Sequence, residues 1–175
     1  MTKKFFGCVS LFAMILLAGM VSAKMLSHSD PDGFKFDYPD DWSESYDDSV
    51  GVPNITYSSA DGYAAFGVYV YPKNDKKMTA LELLEGTLEN LGGENMLSED
   101  RIIPPTAQIK AAGADDAAMG AIEMNQSGFD MLTGITILVK GKKYYMYVQS
   151  VVVDYQDTYA PFLGKMAKSF RITGK

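Results

Sequence analysis

Apolar and polar residues alternate at the start of the ordered pattern, with Phe34, Phe36 and Tyr38 separated by Lys35 and Asp37. Period two predicts a half-buried strand, and Pro39-Asp40-Asp41-Trp42 then turns the chain and sets Trp42 to plug one end of a core. A polar loop through Gly51-Val52-Pro53-Asn54 leads to a short strand, Ile55 to Ser58, a turn at Asp61-Gly62 and a longer strand, Ala64 to Tyr71. In that strand Phe66, Val68 and Val70 face one way and Ala65, Gly67, Tyr69 and Tyr71 the other, so the hairpin is covered on both faces. At Thr79 the period changes. Thr79 with Glu82 makes a capping box, and Leu81, Leu84, Leu88 and Leu91 recur at helical spacing until Gly92-Gly93, a core-facing leucine stripe with Glu82, Glu85 and Glu89 on the wet side.

Residues from Asn95 to Pro105 read as irregular. Four strand-like runs follow: Gln108 to Ala112, Ala118 to Gln126, Leu132 to Lys140 and Lys143 to Val153. The last two join through a tight Gly141-Lys142 turn that lets Ile135, Ile137 and Val139 share a face with Tyr144, Met146 and Val148. A closing helix, Tyr159 to Phe170, takes Asp157 or Thr158 as its cap, admits Pro161 in its first turn, and buries Phe162, Leu163, Met166 and Phe170. The order β-β-β-α-β-β-β-β-α is that of an α+β domain, an antiparallel sheet with helices packed on it.

Ahead of this pattern, Lys3 and Lys4 precede an apolar run from Phe5 to Met20 and then Val21-Ser22-Ala23, the layout of a secretory signal peptide cleaved after Ala23. A retained anchor is the competing reading; small residues break the run and no basic cluster follows it. Cys8 precedes the apolar segment and so does not fit a lipoprotein signal. Residues 1–23 are therefore expected to leave, residues 24–33 to form a flexible lead-in ending at the Asp30-Pro31-Asp32-Gly33 turn, and residues 34–175 to form one domain. Destination is the bacterial periplasm or the exterior, and the mature domain is not membrane-inserted. Cleavage removes two lysines and leaves 14 basic against 22 acidic side chains, a net charge of −8. That sign disfavours nucleic acid, which needs a positive face to displace counterions. It also removes Cys8, the only cysteine, and with it any disulfide, thiolate metal site or cysteine nucleophile. Such a domain depends on its core for stability.

Candidate chemistry is sparse. Asp30, Asp32, Asp37, Asp40, Asp41, Asp47 and Asp48 crowd the first strand and its exit loop, where a hard cation would find oxygens, but the spacing is not that of an EF-hand and Asp-Gly runs make turns for conformational reasons. His28 is the only histidine, and its place in the lead-in leaves no ordered base for a Ser-His-Asp arrangement and no multi-histidine zinc site. Met124 and Met131 can meet across a hairpin, where thioethers suit Cu(I) but more commonly fill core gaps. Glu123 is the one acid inside a strongly strand-like run, and its expected place is the solvent face. Tyrosine gives the most informative pattern: Tyr69 and Tyr71 on one strand, with Tyr144, Tyr145 and Tyr147 on another, are the candidate lining of a groove for an apolar or sugar-like ligand or a protein anchor. The competing reading is a sheet rim with hydroxyls in water.

Phe34-Lys35-Phe36-Asp37-Tyr38-Pro39-Asp40-Asp41-Trp42 at the opening and Met166-Ala167-Lys168-Ser169-Phe170 at the close, with the order of elements between, resemble the PsbP-like superfamily, which includes a photosystem extrinsic subunit and periplasmic DcrB-like proteins. The resemblance implies a central twisted antiparallel sheet with flanking helices on both faces, and a binding or assembly protein in place of an enzyme; it carries no functional residue across. The resulting expectation is an exported, non-catalytic binding or assembly module, without cofactor or metal, that takes a protein or a small apolar ligand. The alternative is a small periplasmic cation-binding protein or hydrolase using the acidic loops.

Overall fold

The computed structural model describes residues 24–47, 54–73, 78–92 and 96–174. The expected signal peptide, Asp48, Gly51 to Pro53 and Gly93 lie outside the described residues. In chain order the elements are β1 (Met25–Asp30), β2 (Phe34–Pro39), β3 (Ser43–Asp47), β4 (Asn54–Ser58), β5 (Ala64–Pro72), α1 (Ala80–Gly92), β6 (Met96–Ile102), α2 (Thr106–Ala111), β7 (Asp116–Gln126), β8 (Phe129–Lys140), β9 (Lys143–Val152), α3 (Gln156–Ser169) and β10 (Arg171–Ile172). A seven-stranded sheet runs β3-β4-β5-β9-β8-β7-β6, and a three-stranded one runs β1-β2-β10. All the pairings are antiparallel.

The large sheet is two hairpin systems joined down the middle. The β4–β5 hairpin pairs with the β7–β8–β9 meander along β5 and β9, from Ala64↔Val151 to Pro72↔Lys143. Within the meander Val139 opposes Tyr144, Ile137 opposes Met146 and Ile135 opposes Val148, the register the alternating pattern implies. Strand β8 is buried without a break from Leu132 to Val139, because both of its faces are covered. That burial accounts for its near-continuous apolar run.

One face of the large sheet is aromatic. Phe34 and Phe36 of β2, with Leu163 and Met166 of α3 and Phe170 directly after it, close over Tyr57, Phe66, Val68, Tyr145 and Tyr147. Phe36 and Phe66 lie 5.1 Å apart between ring centroids, Phe34 and Phe170 5.7 Å. Ser169 latches α3 to β2: the Asp37 N–H donates to its Oγ at 2.8 Å, and that hydroxyl donates to the Met166 carbonyl at 2.8 Å. Trp42 closes one end of this core, edge-on to Tyr159.

The opposite face is largely aliphatic. Ala80, Leu84 and Leu88 of α1 pack on Ala118, Ile122, Ile135 and Ile137. Each fully buried leucine contributes about 1.5–3 kcal/mol relative to exposure. Helix α1 starts where the capping box predicts: the Glu82 N–H donates to Thr79 Oγ1 at 3.2 Å, and the Thr79 N–H donates to the Glu82 carboxylate at 2.7 Å. The Ala80 N–H donates to Asp116 at 3.0 Å, fixing the helix start on β7. Gly120 makes room for the docking, since a Cβ there would sit 3.1 Å from Leu88 and 3.2 Å from Leu84.

Five readings of the sequence need correction. Residues 24–33 are not a flexible lead-in: β1 pairs with β2 from Met25↔Pro39 to Asp30↔Phe34, and backbone bonding holds a strand whose polar side chains give little periodic signal. The polar stretch after Trp42 contains β3, exposed throughout and paired only with β4, an edge strand whose polar composition suits an open edge. The stretch read as irregular before Pro104-Pro105 is β6, the opposite edge. Gln108 to Ala111 of the stretch expected as a strand belong to helix α2, which begins directly after Pro105 and has Ala112 as its C-cap; its alanines and lysine are good helix formers. Finally, α3 begins at Gln156, ahead of Tyr159, and neither Asp157 nor Thr158 caps it. The chain enters through a 3-10 turn, Val153–Tyr155, so Pro161 falls beyond the first turn.

Candidate functional site

Helix α1 packs chiefly over β7 and β8 and covers the β9–β5 strip less fully. That strip forms the floor of a groove of about 840 Å³, with Tyr69 and Tyr71 from β5, Met146, Val148 and Ser150 from β9, and α1 as its wall. The two tyrosine rings lie side by side, 6.4 Å between centroids and 14° from parallel. Burial raises the hydroxyl pKa of both, helped at Tyr69 by the charge of Asp47 and at Tyr71 by Tyr69. Thr87, Asn90, Asn125 and Thr133 supply hydroxyl and amide groups, and among the described residues no charged side chain lines the groove. Its chemistry is therefore π faces and neutral hydrogen-bonding groups, suited to an uncharged ligand.

The other three tyrosines do not join this pair. Alternation along β9 puts Tyr144 on the α1 face and turns Tyr145 and Tyr147 into the aromatic core. Tyr144 is 5 % exposed and donates its hydroxyl to the Met78 carbonyl at 2.6 Å, while Tyr145 donates to the Asp32 carbonyl at 3.1 Å and meets Phe34 edge-on. Both brace neighbouring segments. Tyr147 stacks on Phe66 at 5.4 Å and forms part of the floor of a second cavity, on the opposite face. The five-tyrosine groove is thus a two-tyrosine groove.

Sequence reasoning missed the α1 wall. Leu91, expected in the buried stripe, is 45 % exposed and stands at the groove's edge. The signal for the groove lay in Tyr69 and Tyr71 occupying the face opposite Phe66, Val68 and Val70. Which elements would cover that face is not written in β5 itself.

His28, expected to be an exposed residue in a mobile segment, is held in place by β1. Its Nδ1 lies 3.0 Å from the Tyr57 hydroxyl, its Nε2 lies 3.4 Å from Asp30, and its ring contacts Phe34, Phe36 and Tyr57. The Tyr57 hydroxyl donates to Glu44, so Nδ1 is the donor in the histidine bond. Burial and the Glu44 carboxylate push the Tyr57 pKa far up, which leaves the phenol neutral. This network ties β1 and β3 to β4.

Of the candidate acids only Asp30 and Asp32 share a described cavity, a small one beside Tyr46 and Asn54. Asp30 accepts from the Asp32 N–H at 2.8 Å in a local turn, Asp32 pairs with Lys143 at 2.9 Å, and Asp40 and Asp41 are exposed. Neither groove is lined by Asp37, Asp47 or Glu123. Glu123 is half-buried on β7, not on an open solvent face. Among the described residues, no group of three His, Cys, Asp or Glu side chains lies together as a metal site would require. Met124 and Met131 do face each other across the β7–β8 hairpin, packed with the aliphatic core.

No protein-family model matches the chain, and no curated protein matches it by sequence. Solved structures do match its fold. The cyanobacterial PsbP protein CyanoP of Synechocystis superposes with a TM-score of 0.56 at 16 % identity, covering 88 % of this chain and 96 % of that one. The Ran-binding protein Mog1p of Saccharomyces cerevisiae gives 0.54 at 12 %, covering 87 % and 97 %, and LpqN of Mycobacterium tuberculosis gives 0.52 at 15 %, covering 87 % and 92 %. The aromatic β2, the Trp42 corner and the closing α3 thus belong to a chain that adopts the PsbP-like fold.

Proposed function

We propose that this protein is an exported, non-catalytic binding or assembly module, and that the groove between α1 and the β5–β9 strip is where it takes an uncharged ligand, sugar-like or apolar, or the side chains of a protein partner. The observation that carries this reading is the pair of parallel rings, Tyr69 and Tyr71, set on a rigid strand in an uncharged groove. Stacked aromatic faces with hydroxyl and amide groups at the margin hold a ligand by its apolar face and orient it by its polar edge. Proteins of the same fold include one described as Ran-binding and one described as involved in cell envelope biogenesis, which accords with a binding role outside catalysis. Among the described residues no helix is long and apolar enough to cross a membrane.

The ionisable groups support the same reading. Asp61, Glu82 and Asp115 have their pKa values lowered, chiefly by hydrogen bonds from Tyr159, Thr79 and Lys140, whereas a general acid needs its pKa raised. Lys143 is raised by Asp32, opposite to what a nucleophilic lysine needs. The acidic-loop alternative has no comparable support: Asp30 holds a local turn and Asp32 pairs with Lys143.

A thermal-shift screen of the purified protein against neutral saccharides, apolar small molecules, peptides and divalent cations tests the proposal, because a ligand specific to the folded state raises Tm. A neutral ligand or peptide should raise Tm, and Tyr69→Ala or Tyr71→Ala should abolish the rise. A rise confined to Ca²⁺ or Mn²⁺ that survives both substitutions would overturn it.

A further inference from the structure

On the aromatic face, α2 and the end of α3 stand apart over β7, β8 and β9 and leave a second cavity of about 450 Å³. Its floor is Ala117, Met119, Leu138 and Tyr147, and Ile109 and Pro105 wall it on the α2 side. The volume falls within the range of small-ligand sites. Its charge is unlike that of the rest of the protein. The chain carries 22 acidic residues, yet among the described residues none lines this cavity, and the charged side chains that do, Lys168 and Arg171, are both basic.

Both cations stand beside the C-terminal end of α3, at one margin of the cavity. Arg171 serves the helix terminus, with Nη1 donating to the Lys168 carbonyl at 2.7 Å and to the Phe170 carbonyl at 2.6 Å. Those bonds use one of the three guanidinium nitrogens, so the cation can cap α3 and still meet an anion. Arg171 also stands close enough to the Tyr147 ring to oppose the upward pKa shift that burial imposes on that phenol. Apolar floor and basic margin thus adjoin. Exposed Ile102, at 41 %, extends the apolar surface outward along the end of β6.

We propose that this cavity is a second binding site, for a single acyl chain that ends in a carboxylate, with the chain on the Met119–Leu138–Tyr147 floor and the carboxylate at Arg171 and Lys168. An apolar chain gains by leaving water along its whole length, and a fork-shaped guanidinium meets a carboxylate through two parallel bonds. The site is separate from the α1 groove, which lies on the opposite face, so either assignment can fail without the other.

Calorimetric titration of the purified protein with laurate, below its micelle concentration, and with the neutral dodecanol tests the site. Laurate should bind once per chain and about tenfold more tightly than dodecanol, a charge-assisted difference of about 1.4 kcal/mol. Combined Lys168→Gln and Arg171→Gln should remove that preference while leaving dodecanol binding intact, which separates loss of the anion contact from loss of fold. Ala167→Phe, which fills the cavity from α3, should abolish binding of both, with Tm checked to confirm folding, and Tyr69→Ala should change neither. Absence of laurate binding, equal binding of acid and alcohol, or loss of binding in Tyr69→Ala would overturn the proposal. So would tight binding of an amphipathic peptide with a free carboxyl terminus that laurate does not displace.

Discussion

The two faces of the seven-stranded sheet are covered in different ways. The aromatic face is closed by a second sheet and a helix working together, and its rings interlock from Phe34 through Phe36, Phe66 and Tyr147 to Phe170. The other face has one helix, α1, docked by two buried leucines and an alanine, and part of that face stays open as a groove. The open surface thus sits beside the simpler contact.

The largest test of that contrast is to cut one anchor on each side. Phe36→Ala should cost about 3–5 kcal/mol, and Leu88→Ala about 2–5 kcal/mol with the loss confined mainly to α1. Urea denaturation gives both totals, and amide exchange shows where each is felt; a larger loss from Leu88→Ala would invert the assignment of the main core. Gly113 comes next. It follows α2 at φ +81°, and a Cβ there would meet the Ile172 carbonyl oxygen at 2.9 Å, so Gly113→Ala should destabilise by about 2 kcal/mol on left-handed strain together with the clash. No change in Tm would mean the β10 contact is dispensable.

Tyr57→Phe removes the hydroxyl shared by His28 and Glu44 and should cost about 1 kcal/mol, because both partners lie near enough to water to be rehydrated. Its effect should appear as faster exchange in β1 and β3, leaving α1 unchanged. On the other face, Thr79→Ala should cost about 1 kcal/mol through loss of the α1 cap and leave β1 untouched.

The smallest effect is pH dependence. Glu82 and Asp61 both have folded pKa values below their ordinary ones, the first through bonds from Thr79, the second chiefly through Tyr159, which donates to it at 2.5 Å. A depressed carboxylate contributes stability that is present above its ordinary pKa and fades as the pH falls through the folded value. Stability should therefore decline on acidification in the wild type, and Glu82→Gln should flatten part of the decline. An unchanged acid profile in Glu82→Gln would show that the cap is not felt outside the first turn of α1.

Several features were legible in the chain because their cause is local. Alternation along β5, β8 and β9 fixed which residues share a face, the Gly141-Lys142 turn set the hairpin register, and Thr79 with Glu82 marked where α1 starts. The aromatic opening and the Ser-Phe close carried the resemblance to the fold that superposition shows. The edge strands β3 and β6 and the N-terminal β1 left little trace, since they are held by backbone bonds to a neighbour and that pairing imposes no hydrophobic period. His28 illustrates the consequence: its chemistry was set by a strand partner and by Tyr57, both distant in sequence.

The same division holds for the candidate sites. Sequence determined that Tyr69 and Tyr71 lie on one face and that Tyr144 lies opposite Tyr145 and Tyr147, since side chains alternate along any strand. Only the tertiary structure decided that α1 packs chiefly over β7 and β8, that Tyr144 and Tyr145 are taken up in bracing, and that Arg171 comes to the margin of an apolar cavity. Those outcomes depend on where helices of fixed length end over a twisted sheet, which no local pattern records.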